Sequence, residues 1–246
     1  MKNLTTIFLM FFMTQMTFAQ NLKPIAYKDG NQKLNGLITD NTKGKKPGVL
    51  ILPAWKGIDN EAKTAALELE KQGYIAMIAD IYGEGHIPKD NTEAAKISSQ
   101  YKTDYEAYQK RISIALDELK KSGANADKIA VIGYCFGGTG ALETARANFP
   151  VQGVVSIHGG LGKGNRPDGK LSTKILIIHP ADDKSVSEED IKNVQNEMKN
   201  AKADWQMIYY ANSGHTFTNP ESTDYNEIMA KRSWEHVLMF LNEILK

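Results

Sequence analysis

Cysteine is the scarcest reactive residue in this chain of 246 residues, with Cys135 as the single example. One cysteine cannot form an intrachain disulfide, so a disulfide scaffold is excluded and a free thiol remains to be explained. The sequence also lacks HExxH and paired cysteines, and it lacks GxGxxG and P-loop motifs, so we expect no metal site and no cofactor. Four further histidines show no metal-ligand spacing: His86, His158, His179 and His236.

A large excess of either charge is also missing. The chain carries 30 Lys and Arg against 29 Asp and Glu, which gives a net charge of +1. We therefore expect neither a nucleic-acid partner nor binding to a membrane surface. With 41% hydrophobic and 24% charged residues, the composition is typical of one soluble globular domain. No feature of the sequence specifies an oligomeric state.

Long apolar runs are absent except near the N-terminus, where the run at 7–18 is shorter than the roughly 20 residues needed to span a bilayer. It follows a basic n-region and precedes the small residue Ala19, which is the pattern of a secretory signal peptide. We expect cleavage after Ala19, with residues 1–19 as the signal and 20–246 as one mature domain. The mature protein would then be exported, periplasmic or secreted, and free of the membrane.

The rest of the chain has an alternating pattern. Short β-rich runs at 25–27 and 34–39 predict an antiparallel hairpin at a sheet edge. From residue 48 onward, buried-strand patterns alternate with helical patterns through short connections, and Asn60 is a candidate N-cap for the first helix. The pattern at 91–122 fits one helix or two. Together these features predict a single α/β domain with a mostly parallel sheet and helices on both faces.

Cys135 lies between an apolar strand pattern at 128–132 and a helical pattern at 138–148. This strand–turn–helix context, with glycine on both sides of the cysteine, predicts a nucleophile elbow. Gly133 and Gly137 would allow the strand and helix to approach closely. The helix N-terminus beneath the sulfur would favour the thiolate, the reactive form.

Downstream strand ends supply the other groups that cysteine catalysis needs. His215, in a glycine-flanked loop, is the candidate base, and a carboxylate is needed to orient it. Asp182 and Asp183 both follow an earlier strand; we favour Asp183, because the turn toward Val186 would point it inward while Asp182 faces water. The chain order of nucleophile, acid and histidine is that of an α/β-hydrolase fold.

Two backbone amides are candidates for an oxyanion hole. One is the N–H of Phe136, directly after the nucleophile, and the other is the N–H of Trp55, after the strand that ends at Leu52. Trp55 is equally well read as a core tryptophan. Glu143, two turns into the elbow helix, is expected at the surface. Three further residues are candidates to line a pocket: Tyr82, Tyr134 and His158.

As a set, these motifs resemble the dienelactone hydrolase family. The matching segments are 133–138 (Gly-Tyr-Cys-Phe-Gly-Gly), Asp183 before Val186, 213–220, 225–226 and 232–234. The likeness covers nearly all of the mature chain. It implies a Cys-Asp-His hydrolase in which Cys135, Asp183 and His215 take the three catalytic roles, with oxyanion amides at Phe136 and Trp55.

The chain departs from the family pattern at three positions. The resemblance places Ala54 where the type enzyme has a glutamate that helps to activate the thiol, so activation would rest on His215 and the helix dipole. Glu84 and Asn219 occupy the places of two arginines that grip the substrate carboxylate. The loss of that anion clamp favours a neutral ester or lactone as substrate.

The sequence thus predicts an exported, cofactor-independent hydrolase of small-molecule carboxylic esters or lactones that works through an acyl-enzyme. Two alternatives remain open. One is a vestigial or binding protein with little turnover, which the missing glutamate would explain. The other is a peptidase or a different acyl hydrolase on the same fold.

Overall fold

A computed structural model describes residues 21–246, so the predicted signal peptide at 1–19 lies outside the described residues. Eight strands form one sheet: β1 Leu22–Asp29, β2 Gln32–Thr39, β3 Lys46–Leu52, β4 Ile75–Ile78, β5 Ala124–Tyr134, β6 Gly153–Ile157, β7 Lys174–Pro180 and β8 Trp205–Tyr210. Six helices accompany them: α1 Asn60–Lys71, α2 Asn91–Thr103, α3 Tyr105–Lys121, α4 Phe136–Arg146, α5 Glu188–Ala201 and α6 Glu227–Leu245. Within 21–246, none of these helices is long and apolar enough to cross a membrane.

The sheet has the order β1-β2-β4-β3-β5-β6-β7-β8. The β1–β2 hairpin pairs antiparallel, as predicted, and β2 also runs antiparallel to β4. All pairings from β4 to β8 are parallel. The predicted α/β class with a mostly parallel sheet is therefore confirmed, and the carboxyl ends of the six parallel strands lie at one edge of the sheet.

Two apolar layers cover the sheet. On one face, side chains of α2, α3, α4 and α5 pack against the strands, around fully buried residues such as Tyr108 and Ile112. On the other face, α1 and α6 pack through Leu69, Val237 and Leu241. The central strands are buried on both sides, which explains their unbroken apolar sequences.

Aspartate side chains cap the starts of α1 and α3. Asn60 does not cap α1; Asp59 does, because its Oδ1 accepts the N–H of Ala62 at 2.9 Å, and Asn60 becomes the first helical residue. The pattern at 91–122 is two helices joined at Asp104, whose side chain accepts the N–H of Ala107 and so starts α3.

Glu143 corrects a second prediction, because it is 2% exposed rather than at the surface. Its carboxylate accepts hydrogen bonds from Arg146 at 3.0 Å and from Arg166 at 2.6 and 2.8 Å, and Arg146 also pairs with Glu197. Burial raises the pKa of Glu143, but the two arginines outweigh it and hold the pKa below its usual value. The two arginine partners lie 3 and 23 residues away from Glu143, and the second of them cannot be inferred from the local helical pattern.

Candidate active site

Cys135 sits at the junction of β5 and α4 in a strained backbone conformation, with φ 52° and ψ −112°. Gly133 and Gly137 permit this sharp turn. A Cβ on Gly133 would lie 2.0 Å from the carbonyl oxygen of Gly137, and a Cβ on Gly137 would lie 2.0 Å from that of Leu52. The strand and the helix therefore approach each other as closely as the sequence predicted, with the sulfur at the helix N-terminus.

The structure brings Cys135, His215 and Asp183 into one hydrogen-bonded line. The Nε2 of His215 lies 3.2 Å from the Sγ of Cys135, and its Nδ1 lies 2.8 Å from the Oδ2 of Asp183. Asp183 is 8% exposed, whereas Asp182 is exposed and donates only its backbone N–H, to Ser213. Of the two adjacent acids, Asp183 is therefore the one that the fold brings to His215.

Both titratable partners of Cys135 in this line have shifted pKa values. Burial lowers the pKa of His215, but its hydrogen bonds to Asp183 and Cys135 outweigh burial and raise the pKa to about 10. Burial raises the pKa of Asp183, but hydrogen bonds from His215 and Ser185 outweigh it and lower the pKa to about 2. The environment thus favours an imidazolium flanked by a carboxylate, the charge state a proton-donating histidine needs.

Ser185 is a member of this arrangement that the sequence reading missed. Its backbone N–H and its hydroxyl both donate to the Oδ1 of Asp183, at 2.9 and 2.6 Å, and its Oγ lies 3.0 Å from the Nδ1 of His215. These bonds occupy Oδ1 and leave Oδ2 for His215. A serine two residues after a candidate acid, in a turn, is the sequence signal that could have identified it.

A second hydrogen-bonded chain reaches Cys135 from the opposite side. The backbone N–H of Cys135 is shared between the carbonyl of Ile157 at 3.0 Å and the Nδ1 of His158 at 3.1 Å. The Nε2 of His158 lies 2.8 Å from the Oγ1 of Thr218, whose hydroxyl donates to the Oε1 of Glu61 at 2.5 Å.

These partners determine where the protons lie. Because Nδ1 of His158 accepts a hydrogen bond and the Thr218 hydroxyl is donated to Glu61, Nε2 of His158 must carry the hydrogen and donate to Thr218. His158 is 1% exposed, and burial, followed by the nearby charge of His215, lowers its pKa to about 3. His158 is thus a neutral imidazole with one defined tautomer.

The two candidate oxyanion amides remain free for a ligand. Within 21–246, neither the N–H of Phe136 nor that of Trp55 has a protein acceptor, and Cys135 offers no side-chain cap at the start of α4. Two buried tyrosines fix the neighbouring carbonyls: the hydroxyl of Tyr82 donates to Trp55 at 2.7 Å, and that of Tyr108 donates to Phe136 at 3.0 Å. Tyr108 was not foreseen, since it lies 28 residues before Phe136 in an ordinary helical pattern.

The remaining pocket candidates are distributed around the elbow. Tyr82 stacks on Phe136 and lines a cavity of about 450 Å³ that Arg111 also borders. Tyr134 lines a different cavity, of about 350 Å³, between α1 and α6. Trp55 is half-buried and packs against the core. Glu84 forms an ion pair with Lys33 at 3.5 Å.

No group of three or more His, Cys, Asp or Glu side chains in the described part of the chain is arranged to hold a metal ion. Among the same residues, His215 is the hydrogen-bond partner of the Cys135 sulfur. The arrangement can therefore deliver a proton to and from one sulfur nucleophile, beside two unoccupied N–H groups. This chemistry is suited to acyl transfer.

Comparisons with known proteins agree with this fold. A family model described as the dienelactone hydrolase family matches residues 34–245. A probable 2-oxo-3-(5-oxofuran-2-ylidene)propanoate lactonase from Bradyrhizobium is 27% identical over 225 residues, which cover 87% of this chain and 90% of that protein. A putative carboxymethylenebutenolidase from Saccharolobus solfataricus is 22% identical, over 91% of this chain and 99% of its own length. The crystal structure of a dienelactone hydrolase-like promiscuous phosphotriesterase from metagenomic libraries superposes with a TM-score of 0.86 at 30% identity, covering 93% of this chain and all of that one.

Proposed function

The chain belongs to the dienelactone hydrolase family and is an ester or lactone hydrolase, and from that premise we propose that it cleaves neutral substrates through a covalent intermediate on Cys135. The observation that carries the proposal is the line from the Sγ of Cys135 through His215 to Asp183, at 3.2 and 2.8 Å. The strained elbow and the free amides of Phe136 and Trp55 support the same assignment.

The proposed reaction has two halves. In the first, the Cys135 proton lies on Nε2 of His215, the thiolate attacks the carbonyl carbon, and the oxyanion accepts hydrogen bonds from the N–H groups of Phe136 and Trp55. Collapse of this intermediate breaks the ester C–O bond, and His215 gives its proton to the departing alcohol oxygen. In the second half, neutral His215 takes a proton from water, the hydroxide attacks the thioester, and the acid leaves as the Cys135 thiolate reforms beside protonated His215.

The substrate class follows from charge. The resemblance places Glu84 and Asn219 where the family has its carboxylate clamp, and neither side chain supplies a positive charge for an anion. We therefore propose a neutral ester or lactone as the substrate. A panel of p-nitrophenyl esters, uncharged lactones, an anionic dienelactone and aminoacyl amides tests this, with neutral esters and lactones expected to react fastest. Faster hydrolysis of the amides would support the peptidase alternative and contradict the proposal. Because the metagenomic relative is described as a promiscuous phosphotriesterase, a phosphotriester belongs in the same panel.

Replacement of the nucleophile is the primary test of the mechanism. We expect Cys135→Ala to abolish ester turnover while the circular dichroism spectrum and melting temperature stay near those of the wild type. Stoichiometric alkylation of Cys135 by iodoacetamide, slowed by His215→Ala, would count against a vestigial protein. Unchanged turnover in Cys135→Ala would refute the mechanism.

We also propose that residues 1–19 are removed on export, as the N-terminal pattern predicts. Expression in a bacterial host with periplasmic extraction tests this, and the expected mature chain starts at Gln20 by mass spectrometry. A mature chain that retains Met1 would contradict the proposal.

A further inference from the structure

A cavity of about 350 Å³ lies directly behind the elbow, between the start of α1, the loop that follows His215, and α6. Its wall includes Tyr134, which precedes Cys135, and Ile157, which precedes His158. Thr218, three residues after His215, completes this side. The cavity therefore adjoins the active site on the α1 and α6 face of the sheet and has the size of a small-molecule site.

Part of the cavity wall is apolar and is formed by Ala65, Ile157, Ala230, Trp234 and Val237. Such a surface gains free energy when it is covered by an apolar body. A small molecule with an apolar body would therefore be stabilised there.

Tyr134 presents an unpaired polar group to this cavity. The residue is 4% exposed, and its hydroxyl has no hydrogen-bond partner in the described part of the chain. The hydroxyl is nevertheless not among the fully enclosed unpaired atoms, so it retains accessible space on the cavity side. Burial, followed by the Glu61 and Asp59 carboxylates, raises the pKa of Tyr134, so the group is a neutral hydroxyl near those acids. Because this hydroxyl keeps accessible area, solvent can pair with it, and a bound polar group would take the place of that solvent.

Glu61 supplies the matching acceptor. Its Oε1 accepts the hydroxyl of Thr218 at 2.5 Å, while its Oε2 has no partner among residues 21–246. Burial raises the pKa of Glu61 to about 7, so above that pH Oε2 is a carboxylate acceptor, and the binding test is run at pH 8. The other two wall carboxylates are already engaged: Glu68 pairs with Lys71, and Glu221 accepts from Asn60 at 2.6 Å. No Lys, Arg or His is part of the described wall, so an anionic ligand would meet carboxylates without a compensating cation.

We propose that this cavity binds a small apolar molecule that carries an O–H or N–H donor and no negative charge. The donor bonds to Oε2 of Glu61, the hydroxyl of Tyr134 pairs with the same polar group, and the apolar body covers Ala65 and Trp234. The wall of this cavity includes Asn219, so the cavity adjoins the substrate site, but binding in it can be measured in a protein that hydrolyses nothing.

The test uses three probes of similar size that differ in their polar group: 2-phenylethanol, 2-phenylethylammonium and phenylacetate. The chain has three tryptophans, so the indole N–H signals in a ¹H–¹⁵N spectrum are resolved by single Trp→Phe variants. We expect the first two probes to shift the Trp234 signal saturably, and phenylacetate to bind at least tenfold more weakly. The donor probe with the higher affinity shows whether the cavity prefers an alcohol or an amine.

Three variants make the test specific. Tyr134→Phe removes one hydroxyl and should weaken binding about threefold to tenfold, in line with the loss of one hydrogen bond, while Tyr209→Phe, at an exposed position, should not. Ala65→Leu fills the cavity and should abolish the shift; Ala230→Leu fills it from α6 if the first variant does not fold.

Four results would overturn the proposal. One is the absence of a Trp234 shift with both donor probes, and another is a shift that survives both filled variants. Equal binding of phenylacetate would overturn the assigned ligand class. A shift confined to Trp55 would place the probe at the elbow instead of in this cavity.

Discussion

Two hydrogen-bonded chains end on Cys135, and they hold histidines in opposite charge states. The first runs from Asp183 through His215 to the sulfur, and there the pKa of His215 rises to about 10. The second runs from Glu61 through Thr218 and His158 to the backbone N–H, and there the pKa of His158 falls to about 3. The two imidazole rings are only 5.3 Å apart.

The difference comes from the contacts of each ring. His215 has a carboxylate on one nitrogen and a sulfur on the other, so a proton is shared between groups that can carry charge. His158 is more deeply buried, and its neighbours are a backbone N–H and a hydroxyl, neither of which balances a positive charge. We infer that the first chain moves protons during catalysis, and that the second holds the elbow backbone in its strained conformation.

The largest expected effect comes from breaking the first chain at its acid. Asp183→Asn should lower kcat for a p-nitrophenyl ester by about 10³-fold to 10⁴-fold, because His215 loses its orienting carboxylate and its charge balance. The matched control is Asp182→Asn, one residue earlier and exposed, which should change kcat by less than about twofold. If Asp182→Asn caused the large loss of kcat and Asp183→Asn changed kcat little, Asp182 would be the acid that orients His215.

These adjacent acids also show what the sequence could and could not reveal. The strand patterns, the elbow glycines and the order of Cys135, Asp183 and His215 are local signals, so the α/β class and the candidate site were predictable. The second chain joins α1, the end of β6 and the loop after His215, residues up to 157 positions apart. No local pattern marks Glu61, and the matched segment 213–220 contains Thr218 without indicating its partners, which the fold brings to it.

A smaller effect is expected from breaking the second chain. Thr218→Val removes the acceptor for His158 and the donor to Glu61, so the tautomer of His158 is no longer held. We expect kcat to fall about tenfold with KM within twofold of the wild type, and Thr218→Ser to restore kcat. Histidine ¹⁵N spectra should show the Nε2–H tautomer of His158 in the wild type and a mixture in Thr218→Val.

The control for this variant is Thr103→Val, an exposed threonine whose hydroxyl donates to Ser99 within α2. It should leave both kcat and the His158 spectrum unchanged. A Thr218→Val protein with wild-type kcat and a single His158 tautomer would show that the second chain has no positioning role.

The smallest effects should appear in stability as a function of pH, with opposite signs for the two histidines. His215 binds its proton more tightly in the folded state, so its contribution is complete below pH 6.5 and is lost as the pH rises toward about 10. His158 binds its proton less tightly in the folded state, so its contribution is present above pH 6.5 and is lost as the pH falls toward about 3. The test is to measure the free energy of unfolding in urea at pH values from 4 to 9. His215→Gln should reduce the pH dependence of this free energy above pH 6.5, and His158→Gln should reduce it below pH 6.5. The same slope change in both variants would contradict the assigned charge states.

The most direct test of the account is to trap the covalent intermediate. Wild-type protein mixed with p-nitrophenyl butyrate and quenched in acid within the first turnover should carry one butyryl group, and peptide mass spectrometry should place it on Cys135. Rapid turnover with an unmodified Cys135, or a butyryl group on any other residue, would contradict a mechanism in which the sulfur held by His215 is the nucleophile.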